Sequence, residues 1–364
     1  MVQSIRLQQF RSYKDDSFEF SPGVNIIVGP NASGKTNLLE AILVMSRGGS
    51  YRAKDHELVM FNKPWARLDA SVDDYLRTVK LINQPKPEKI YELAGRAMKR
   101  LSLDTTLPVV LFEPNDLWLL IGSPERRRDY LDELLAQTTA SYGSALRAFR
   151  RALAQRNRLL KSPHVGSDQL FPWNVRLSEL AGPIVRARAQ LTGSINKRIN
   201  NLYQELSRSK TTVSMTYRVA GDPEQYESHM LHQLELRAAT DQTLGFTSFG
   251  PHHDDFEVLF AKRPANNIAS RGETRTFVLV LKLVELELLK EKRNKLPLLL
   301  LDDVFSELDG SRQQALTTHL QAYQTFITTT DADVVLKHFS EQCSILLVSK
   351  NNSWRQPNVK RPIS

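Results

Sequence analysis

The 364-residue sequence holds one cysteine, Cys343, and no long apolar run. A single cysteine excludes an intramolecular disulfide and a zinc site made of cysteines, which agrees with a reducing compartment. No stretch approaches the roughly 18 to 20 apolar residues that cross a bilayer. The opening residues, MVQSIRLQQF, lack the apolar core of a signal peptide. These absences predict a cytoplasmic protein with no membrane partner.

Sustained heptads, internal repeats and low-complexity segments are also absent from the sequence. Without heptads a long coiled coil is excluded. A composition of 41% hydrophobic and 24% charged residues is typical of a folded chain, and the length allows about two or three domains. The net charge of +9 favours a polyanionic partner, with nucleic acid first and an anionic membrane second.

The segment GPNASGKT, residues 29–36, has the spacing of a phosphate-binding loop. A strand-like run, VNIIV, precedes it, and a helix is predicted from Lys35 to Met45. Gly29 and Gly34 have no β-carbon, so the backbone N–H groups can point at phosphate oxygens. Lys35 is predicted to reach the β and γ phosphates and Thr36 to bind Mg²⁺. ATP and Mg²⁺ are therefore the expected cofactors.

A second segment, LPLLLLDD at residues 296–303, reads as a buried parallel strand that ends in two aspartates. Ligands of such sheets bind at the carboxyl ends of the strands, which places both aspartates beside the phosphate loop. Asp302 is predicted to hold the magnesium, usually through water, and Asp303 to orient or deprotonate the attacking water. The alternative is a structural strand with a solvated end.

A third segment, ASRGETRT at residues 269–276, precedes a predicted helix over 273–291. Ser270 offers an N-cap hydroxyl and Gly272 a bare backbone, which together make a second anion-binding helix terminus. Ser-x-Gly before a helix is common by itself. Its place one helix before LLLLDD is typical of the signature motif of ABC-type ATPases, and SELD at 306–309 follows as a D-loop does in that class.

From end to end the chain resembles the RecF family of bacterial recombination mediators. The matching stretches are FRSY (10–13), GPNASGKTNLLEAI (29–42), GSYR (49–52), FEPNDL with GSPERRRDYLDELL (112–135), RALAQRNRLL (151–160), GPHHDD (250–255), SRGETRT (270–276), LPLLLLDDVFSELD (296–309) and FITTTD (326–331). The resemblance implies an α/β fold, a P-loop ABC-type head like those of SMC and Rad50 proteins, with a helical insertion domain and no long coiled coil. It also implies a homodimer closed around two ATP molecules.

The resemblance assigns the nucleotide-binding residues. They are Arg11, Gly29, Pro30, Asn31, Ala32, Ser33, Gly34, Lys35, Thr36, Asn37, Ser270, Arg271, Gly272, Glu273, Asp309 and Thr330. Arg11 is expected to approach the phosphates, and Ser270 and Gly272 to contact the γ-phosphate of the partner subunit's ATP. Thr329 or Thr330 stands where transporters carry a switch histidine. Asp303, Lys35 and Asp302 are the expected catalytic residues, and Thr36 and Asp302 the expected metal ligands.

Two positions depart from the family pattern. Glu273 replaces the usual glutamine after S-R-G, and a carboxylate there either weakens attraction to a γ-phosphate or favours the helix N-terminus. We expect dimerisation to survive. The usual P-H-R motif ends here in His253, so a fixed positive charge becomes titratable. A strand would point His252 and His253 to opposite faces, so no metal site is expected there.

Three helices are predicted in the middle of the chain, over 123–137, 142–161 and 173–206, the last interrupted at Gly182 and Pro183. The predicted domains are 1–115 and 240–364, which form the ATPase, and the helical insertion 116–239. Its basic residues are expected on outer faces, where they would contact DNA phosphates or only solvent. The DNA-binding candidates are Arg126, Arg127, Arg128, Arg147, Arg150 and Arg151, and the further basic residues of the second helix are Arg156, Arg158 and Lys161.

The sequence therefore predicts an ATP-dependent clamp that dimerises on double-stranded DNA near single-strand gaps. By resemblance it helps RecR and RecO load RecA in recombinational repair and replication restart, and weak DNA-stimulated ATP hydrolysis releases it. A nuclease-coupled ATPase would need a further domain after Asp309. A transporter ATPase would need a membrane partner and normally a glutamate at position 303, and an SMC-type tether would need heptads.

Overall fold

The computed structural model describes residues 1–162, 166–305, 308–337 and 343–349. Ser306 and Glu307 of the predicted D-loop lie outside the described residues. Contacts divide the chain into two compact units, Met1–Asp116 with the described residues from Leu286 onward, and Leu117–Glu285. Within the described ranges, no helix is both long and apolar enough to span a membrane.

The described β-strands are Val2–Phe10 (β1), Tyr13–Glu19 (β2), Val24–Val28 (β3), Trp65–Val72 (β4), Tyr75–Ile82 (β5), Glu88–Leu93 (β6), Arg96–Met98 (β7), Val109–Phe112 (β8), Val213–Arg218 (β9), Asp255–Phe260 (β10), Arg263–Pro264 (β11), Leu298–Asp302 (β12), Thr325–Thr329 (β13) and Cys343–Leu347 (β14). The described α-helices are Lys35–Arg47 (α1), Asp55–Leu58 (α2), Pro124–Thr138 (α3), Tyr142–Leu160 (α4), Ser167–Ser207 (α5), Tyr226–Leu236 (α6), Ala238–Leu244 (α7), Ala265–Ile268 (α8), Arg271–Arg293 (α9), Gly310–Leu320 (α10) and Ala332–Leu336 (α11).

The first unit contains two sheets. One is a parallel sheet in the order β14-β3-β13-β12-β8, and the other is antiparallel in the order β2-β1-β4-β5-β6-β7. β12 and β13 are buried along their whole length, as central parallel strands are. β4 alternates between buried and less buried residues, as a strand with one covered face does.

Helix α1 lies between the two sheets. It contacts strands of both, and every residue from Leu38 to Ser46 is buried. An apolar helix of this kind has no solvent face, because both of its sides pack against a sheet. The side chains of α1 and both sheets form one hydrophobic core.

Two hairpins form the end of the antiparallel sheet. β4 and β5 form a hairpin with Asp73 and Asp74 at positive φ, and β6 and β7 form a second hairpin through Ala94 and Gly95, again at positive φ. Positive φ at both central residues matches the right-handed twist of the flanking strands. β6 and β7 were not predicted from the sequence, because they are short and carry charged residues.

The second unit combines helices α3 to α7 with the three-stranded sheet β11-β10-β9. The predicted break at Gly182 and Pro183 is wrong, since α5 continues through both residues. The neighbouring Ala181, Ile184 and Val185 are fully buried, so packing outweighs the one hydrogen bond that proline removes. Gly182 serves packing instead, because a β-carbon there would lie 2.0 Å from the carboxylate of Glu227.

The strand expected to carry His252 and His253 begins only at Asp255. His252 and His253 therefore lie in a turn, and their rings are 4.2 Å apart instead of on opposite faces. Each Nε2 lies 3.0 Å from the Thr247 carbonyl oxygen. Turn geometry removes the strand alternation on which the expectation depended. β9, its partner strand, was not predicted.

Arg156 corrects the view that the arginines of α4 lie on outer faces. Its side chain is fully buried and donates to Asp241 at 2.7 Å, Asn174 at 2.7 Å and Thr247 at 2.8 Å. Asp241 is equally buried and also accepts hydrogen bonds from Ser248. The ion pair is therefore an internal crosslink of the second unit.

We expect Arg156→Ala to lower the free energy of unfolding of the second unit by about 3 to 5 kcal/mol, because it leaves a buried, uncompensated carboxylate at Asp241. Exposed Arg151 on the same helix is the control, and Arg151→Ala should stay within about 0.5 kcal/mol of the parent. Hydrogen exchange of the α4 and α5 amides measures both. Equal protection in the two variants would contradict an internal role for Arg156.

Candidate functional site

The loop between β3 and α1 needs glycine at two positions, Gly29 and Gly34. Gly34 has φ +113°, and a β-carbon there would lie 3.0 Å from the hydroxyl oxygens of Ser12 and Tyr13. The Tyr13 hydroxyl donates to the Gly34 carbonyl at 3.0 Å. A β-carbon on Gly29 would lie 2.2 Å from the carbonyl oxygen of Val348. Backbone conformation and close packing therefore fix both glycines.

The interior of this loop carries polar groups suited to an anion. Lys35 is buried, and its Nζ donates to the carbonyl oxygens of Gly29 at 2.8 Å and Pro30 at 3.2 Å. The Ser33 hydroxyl is buried without a hydrogen-bond partner among the described residues. Pro30, Asn31 and Ala32 form the exposed rim. A buried ammonium and an unsatisfied hydroxyl at a helix N-terminus fit a phosphate group.

Asp302 meets Thr36 at the foot of the loop. The Thr36 hydroxyl donates to Asp302 Oδ1 at 2.9 Å, and the Thr328 hydroxyl donates to the same oxygen at 2.8 Å. β3, β13 and β12 are adjacent and parallel, so the carboxyl ends that carry these groups share one edge of the sheet. A hydroxyl and a carboxylate are oxygen donors of the kind Mg²⁺ takes. Two residues of this site, Thr328 and Tyr51, were not predicted; the Tyr51 hydroxyl lies 3.4 Å from Asp302 Oδ2.

Asp303 leaves the strand in a left-handed conformation, with φ at 53°. Its N–H donates to the Thr328 hydroxyl at 2.9 Å, which fixes the turn. Burial raises the pKa of the Asp303 carboxyl, Lys35 opposes the rise and Asp302 adds to it. A carboxylate with a raised pKa is a better proton acceptor, so this position suits a general base.

Arg11 lies in a charge cluster beside the first turns of α1. Its guanidinium donates to both carboxylate oxygens of Glu40, at 2.8 and 3.0 Å, and to the Glu57 carbonyl at 3.0 Å. Arg52 binds the same carboxylate at 3.0 and 3.2 Å and reaches Asn37 Oδ1 at 2.9 Å. Glu40 itself is fully buried. Arg11 and Asn37 were predicted site residues. Glu40, which binds Arg11, and Arg52, which binds Asn37, were not predicted.

The predicted signature residues lie in the second unit, at the start of α9. Exposed Ser270 is the residue before the helix, and its hydroxyl donates to Glu273 Oε2 at 2.8 Å. The backbone N–H groups complete the exchange, from Ser270 to Glu273 Oε2 at 2.9 Å and from Glu273 to Ser270 Oγ at 3.2 Å. This reciprocal pair is a capping box. Glu273 thus serves the helix terminus and occupies the Ser270 hydroxyl, while Arg271 is exposed beside it.

Asp309 and Thr330, two further predicted nucleotide-binding residues, both belong to the first unit. Asp309 is the N-cap of α10 and accepts from the Arg312 N–H at 3.0 Å. Thr330 is exposed directly after β13. Asp309 therefore has a structural partner in this arrangement, and Thr330 stands at the same strand end as Thr328.

The arginines predicted to bind DNA fall into two groups. Arg127 forms a bidentate pair with Asp255 at 2.6 and 2.8 Å, and Arg128 donates to the Asp254 carbonyl at 2.8 Å. Arg150 is 60% exposed and lies 3.6 Å from Asp129. The exposed members besides Arg150 are Arg126, Arg147 and Arg151. The sequence could not separate internal from outward arginines because both kinds share one short segment.

A glycine loop between a buried strand and a helix, with a hydroxyl and a carboxylate at the same sheet edge, defines the P-loop class. The SMC head bound to the C-winged helix domain of ScpA matches 96% of this chain with a TM-score of 0.53 at 16% identity, which shows the fold alone. The α/β fold with an SMC-type head predicted from the sequence is thereby confirmed. The family described as RecF/RecN/SMC N terminal domain matches residues 1–353.

Similar proteins of known name show to which family within the P-loop class this chain belongs. The DNA replication and repair protein RecF of Heliobacterium modesticaldum is 36% identical over 342 residues, covering 90% of this chain and 92% of that protein. RecF of Ruminiclostridium cellulolyticum is 35% identical over 370 residues, covering 97% and 96%. The solved recombination mediator RecF-ATP of the RecFOR pathway has a TM-score of 0.85 at 29% identity, covering 98% and 97%. The chain belongs to the RecF family.

The Glu40 cluster gives a pH prediction. Burial raises the pKa of the Glu40 carboxyl, but hydrogen bonds from Arg11, Arg52 and Ser50 outweigh it and hold the pKa below its ordinary value. A folded-state pKa below the unfolded value of about 4.3 stabilises the fold above that pH, and the stabilisation disappears as the pH falls through the folded-state pKa.

We therefore expect Glu40→Gln to cost the first unit about 3 kcal/mol at neutral pH, because two arginines lose their shared counter-charge. Thermal unfolding of parent and variant from neutral to acid pH measures this difference, which should shrink below pH of about 4. Glu19→Gln, at an exposed carboxylate on β2, is the control and should show no such trend. A difference that stays constant with pH would refute the role of the Glu40 charge.

Proposed function

We propose that this protein is an ATP- and Mg²⁺-dependent clamp that dimerises on double-stranded DNA near single-strand gaps. The observation that carries the proposal is the hydrogen bond between Thr36 and Asp302 at the foot of the glycine loop, with Asp303 next to it. It supports nucleotide hydrolysis, since metal ligands and a proton acceptor stand at one edge of the sheet. The ATP-bound RecF structure supports ATP as the nucleotide.

Each residue has a distinct task in this proposal. The loop N–H groups and Lys35 bind the phosphates, and Thr36 and Asp302 hold Mg²⁺, which neutralises phosphate charge when bound. Asp303 orients the attacking water and takes its proton, a role that its raised pKa supports. Lys35 gives up its bonds to the Gly29 and Pro30 carbonyls for the phosphates. Hydrolysis is slow and acts as the release step.

Dimerisation uses the second unit of the partner subunit. Ser270 and Gly272 at the start of α9 contact the γ-phosphate held by the other protomer. The exposure of Ser270 and the positive end of the 23-residue helix support this contact. The Ser270 hydroxyl must first leave Glu273. ATP thus joins two heads, and its hydrolysis separates them.

DNA binding uses exposed arginines of the second unit through sequence-independent phosphate contacts. Arg126, Arg147, Arg150 and Arg151 are the candidates. Arg127 and Arg128 position α3 instead, because their guanidinium groups already bind Asp255 and the Asp254 carbonyl. By family membership the clamp acts in recombinational repair and replication restart, where it supports RecA loading together with RecO and RecR.

Solution mass by light scattering tests the clamp with Mg-ATP, with ADP and without nucleotide, each with and without a gapped duplex. The parent should dimerise only with ATP, and Lys35→Ala should stay monomeric because the phosphates lose their ammonium. Asp303→Asn keeps phosphate binding and should form a dimer that persists after the parent dimer has decayed. An ATP-dependent dimer of Lys35→Ala, or a parent that is monomeric in every condition, would overturn the proposal.

Glu273→Gln tests the cost of the carboxylate beside the γ-phosphate. Glutamine can keep the capping box, so the helix terminus should remain intact. Removing one negative charge near a phosphate should lower the ATP concentration for half-maximal dimerisation by roughly tenfold. ATP binding by the monomer is the control and should not change. An unchanged dimerisation midpoint would show that Glu273 is only a helix cap.

A further inference from the structure

One row of residues crosses all six strands of the antiparallel sheet. It runs Phe18, Ile5, Ala70, Arg77, Leu93 and Arg96, each directly opposite the next. Residues directly opposite in an antiparallel pair share one face. This face is apolar from β2 to β4 and then carries two arginines, so the sheet becomes cationic toward its β7 edge.

Arg77 is a buried cation without an adequate counter-charge. Its side chain belongs to a residue only 2% exposed, and neither Nη has a hydrogen-bond partner among the described residues. Burial lowers the pKa of the guanidinium, and Tyr75 opposes the shift. Arginine nevertheless stays protonated in proteins. An uncompensated buried charge is costly and projects a positive potential onto the adjacent surface.

Three exposed cations lie on β7 and directly after it. Arg96, Lys99 and Arg100 fall within five consecutive residues, and their side chains make no hydrogen bond or ion pair within the described part of the chain. Arg96 is two strands from Arg77, which is a backbone separation of about 10 Å. The positive potential of the buried arginine therefore adds to that of the exposed group.

Two of the acids near this end of the sheet are paired with other cations. Asp73 in the β4–β5 turn accepts from the amino terminus of Met1, and Asp74 accepts from Gln3 at 3.0 Å. Glu92 pairs with Lys80 at 2.6 Å. Asp73 and Glu92 therefore each have a cation of their own, whereas Asp74 accepts only from a neutral amide and keeps its negative charge.

The hairpin is anchored to the core and joined to the nucleotide loop through α1. The Tyr91 hydroxyl donates to the Gly48 carbonyl at 2.8 Å, where α1 ends, and Met98 and Leu101 pack against the core. The 13 residues of α1 span about 20 Å from this contact to Lys35. A charged hairpin held in place loses little conformational entropy when it binds a fixed phosphate backbone.

We propose that the β6–β7 hairpin and the two residues after it, through Arg96, Lys99 and Arg100, form a second DNA-backbone contact, located on the nucleotide-binding unit. It rests on the proposed function in that DNA is the ligand. The contact reads no sequence, since it consists of cations facing phosphates. It is independent of the arginines on α3 and α4.

Fluorescence anisotropy of the full chain with a labelled duplex, over a salt series, tests the proposal. The triple variant Arg96→Ala, Lys99→Ala, Arg100→Ala should reduce the slope of log affinity against log salt by about 2 to 3, close to 0.9 for each lost phosphate contact. At about 0.1 M salt the affinity should fall at least tenfold. Nucleotide binding, measured separately, should equal that of the parent.

Lys14→Ala is the matched control, since Lys14 is an exposed lysine on β2 at the opposite edge of the same sheet. It should bind DNA within twofold of the parent. An unchanged slope in the triple variant would overturn the proposal. So would a triple variant that aggregates while its soluble fraction binds DNA normally, because the cations would then only protect a sheet edge.

A second triple variant, Arg126→Ala, Arg147→Ala, Arg151→Ala, separates this proposal from the function itself. A slope change in that variant alone would support the clamp and overturn the hairpin contact. A parent that does not bind DNA at any salt concentration would overturn both. A third variant carries all six substitutions. If its change in salt slope equals the sum of the changes in the two triple variants, the two contacts are independent.

Discussion

The burial of α1 between two sheets is the constraint on which the first unit depends. Because both sides of the helix pack against strands, its ends have fixed positions. Its first residues are Lys35 and Thr36, which face the loop and Asp302. Its middle carries Glu40, whose buried charge requires Arg11 and Arg52. Its last turn ends at Gly48, where Tyr91 attaches the β6–β7 hairpin. One helix thus connects the loop, a charge cluster and a cationic surface.

Two of the groups that would bind phosphate, Lys35 and Ser270, already have hydrogen-bond partners within their own chain. Lys35 donates to two loop carbonyls, and the Ser270 hydroxyl donates to Glu273. A ligand has to replace these bonds, so its net gain is the difference between the new and the old interactions. Replacing the bonds of Lys35 costs less free energy than replacing those of Ser270. The partners of Lys35 are neutral carbonyl oxygens, whereas the partner of Ser270, Glu273, carries a negative charge that repels phosphate.

The net charge of +9 does not show which cations an anionic partner can reach, because some of them are buried. Arg156 and Arg188 are buried and pair with Asp241 and Asp132. They hold the second unit together and contribute nothing to a surface. The exposed cations of α3, α4 and the β6–β7 hairpin are the ones an anionic partner can reach. A run of arginines in sequence therefore includes internal crosslinks as well as exposed cations, and burial together with hydrogen-bond partners distinguishes them.

The sequence by itself determined the glycine loop with its strand and helix, the apolar strand that ends at Asp302, the capping start of α9 and the boundaries of α3 and α4 to within a few residues. These features arise from local spacing and periodicity, which a linear reading contains. Only the tertiary structure decided that α5 continues through Pro183, that His252 and His253 lie together, that Glu40 holds Arg11, and that Thr328 joins Thr36 on Asp302. These outcomes depend on residues distant in sequence. Packing and the compensation of buried charge determine these outcomes, and neither can be predicted from any single segment of the sequence.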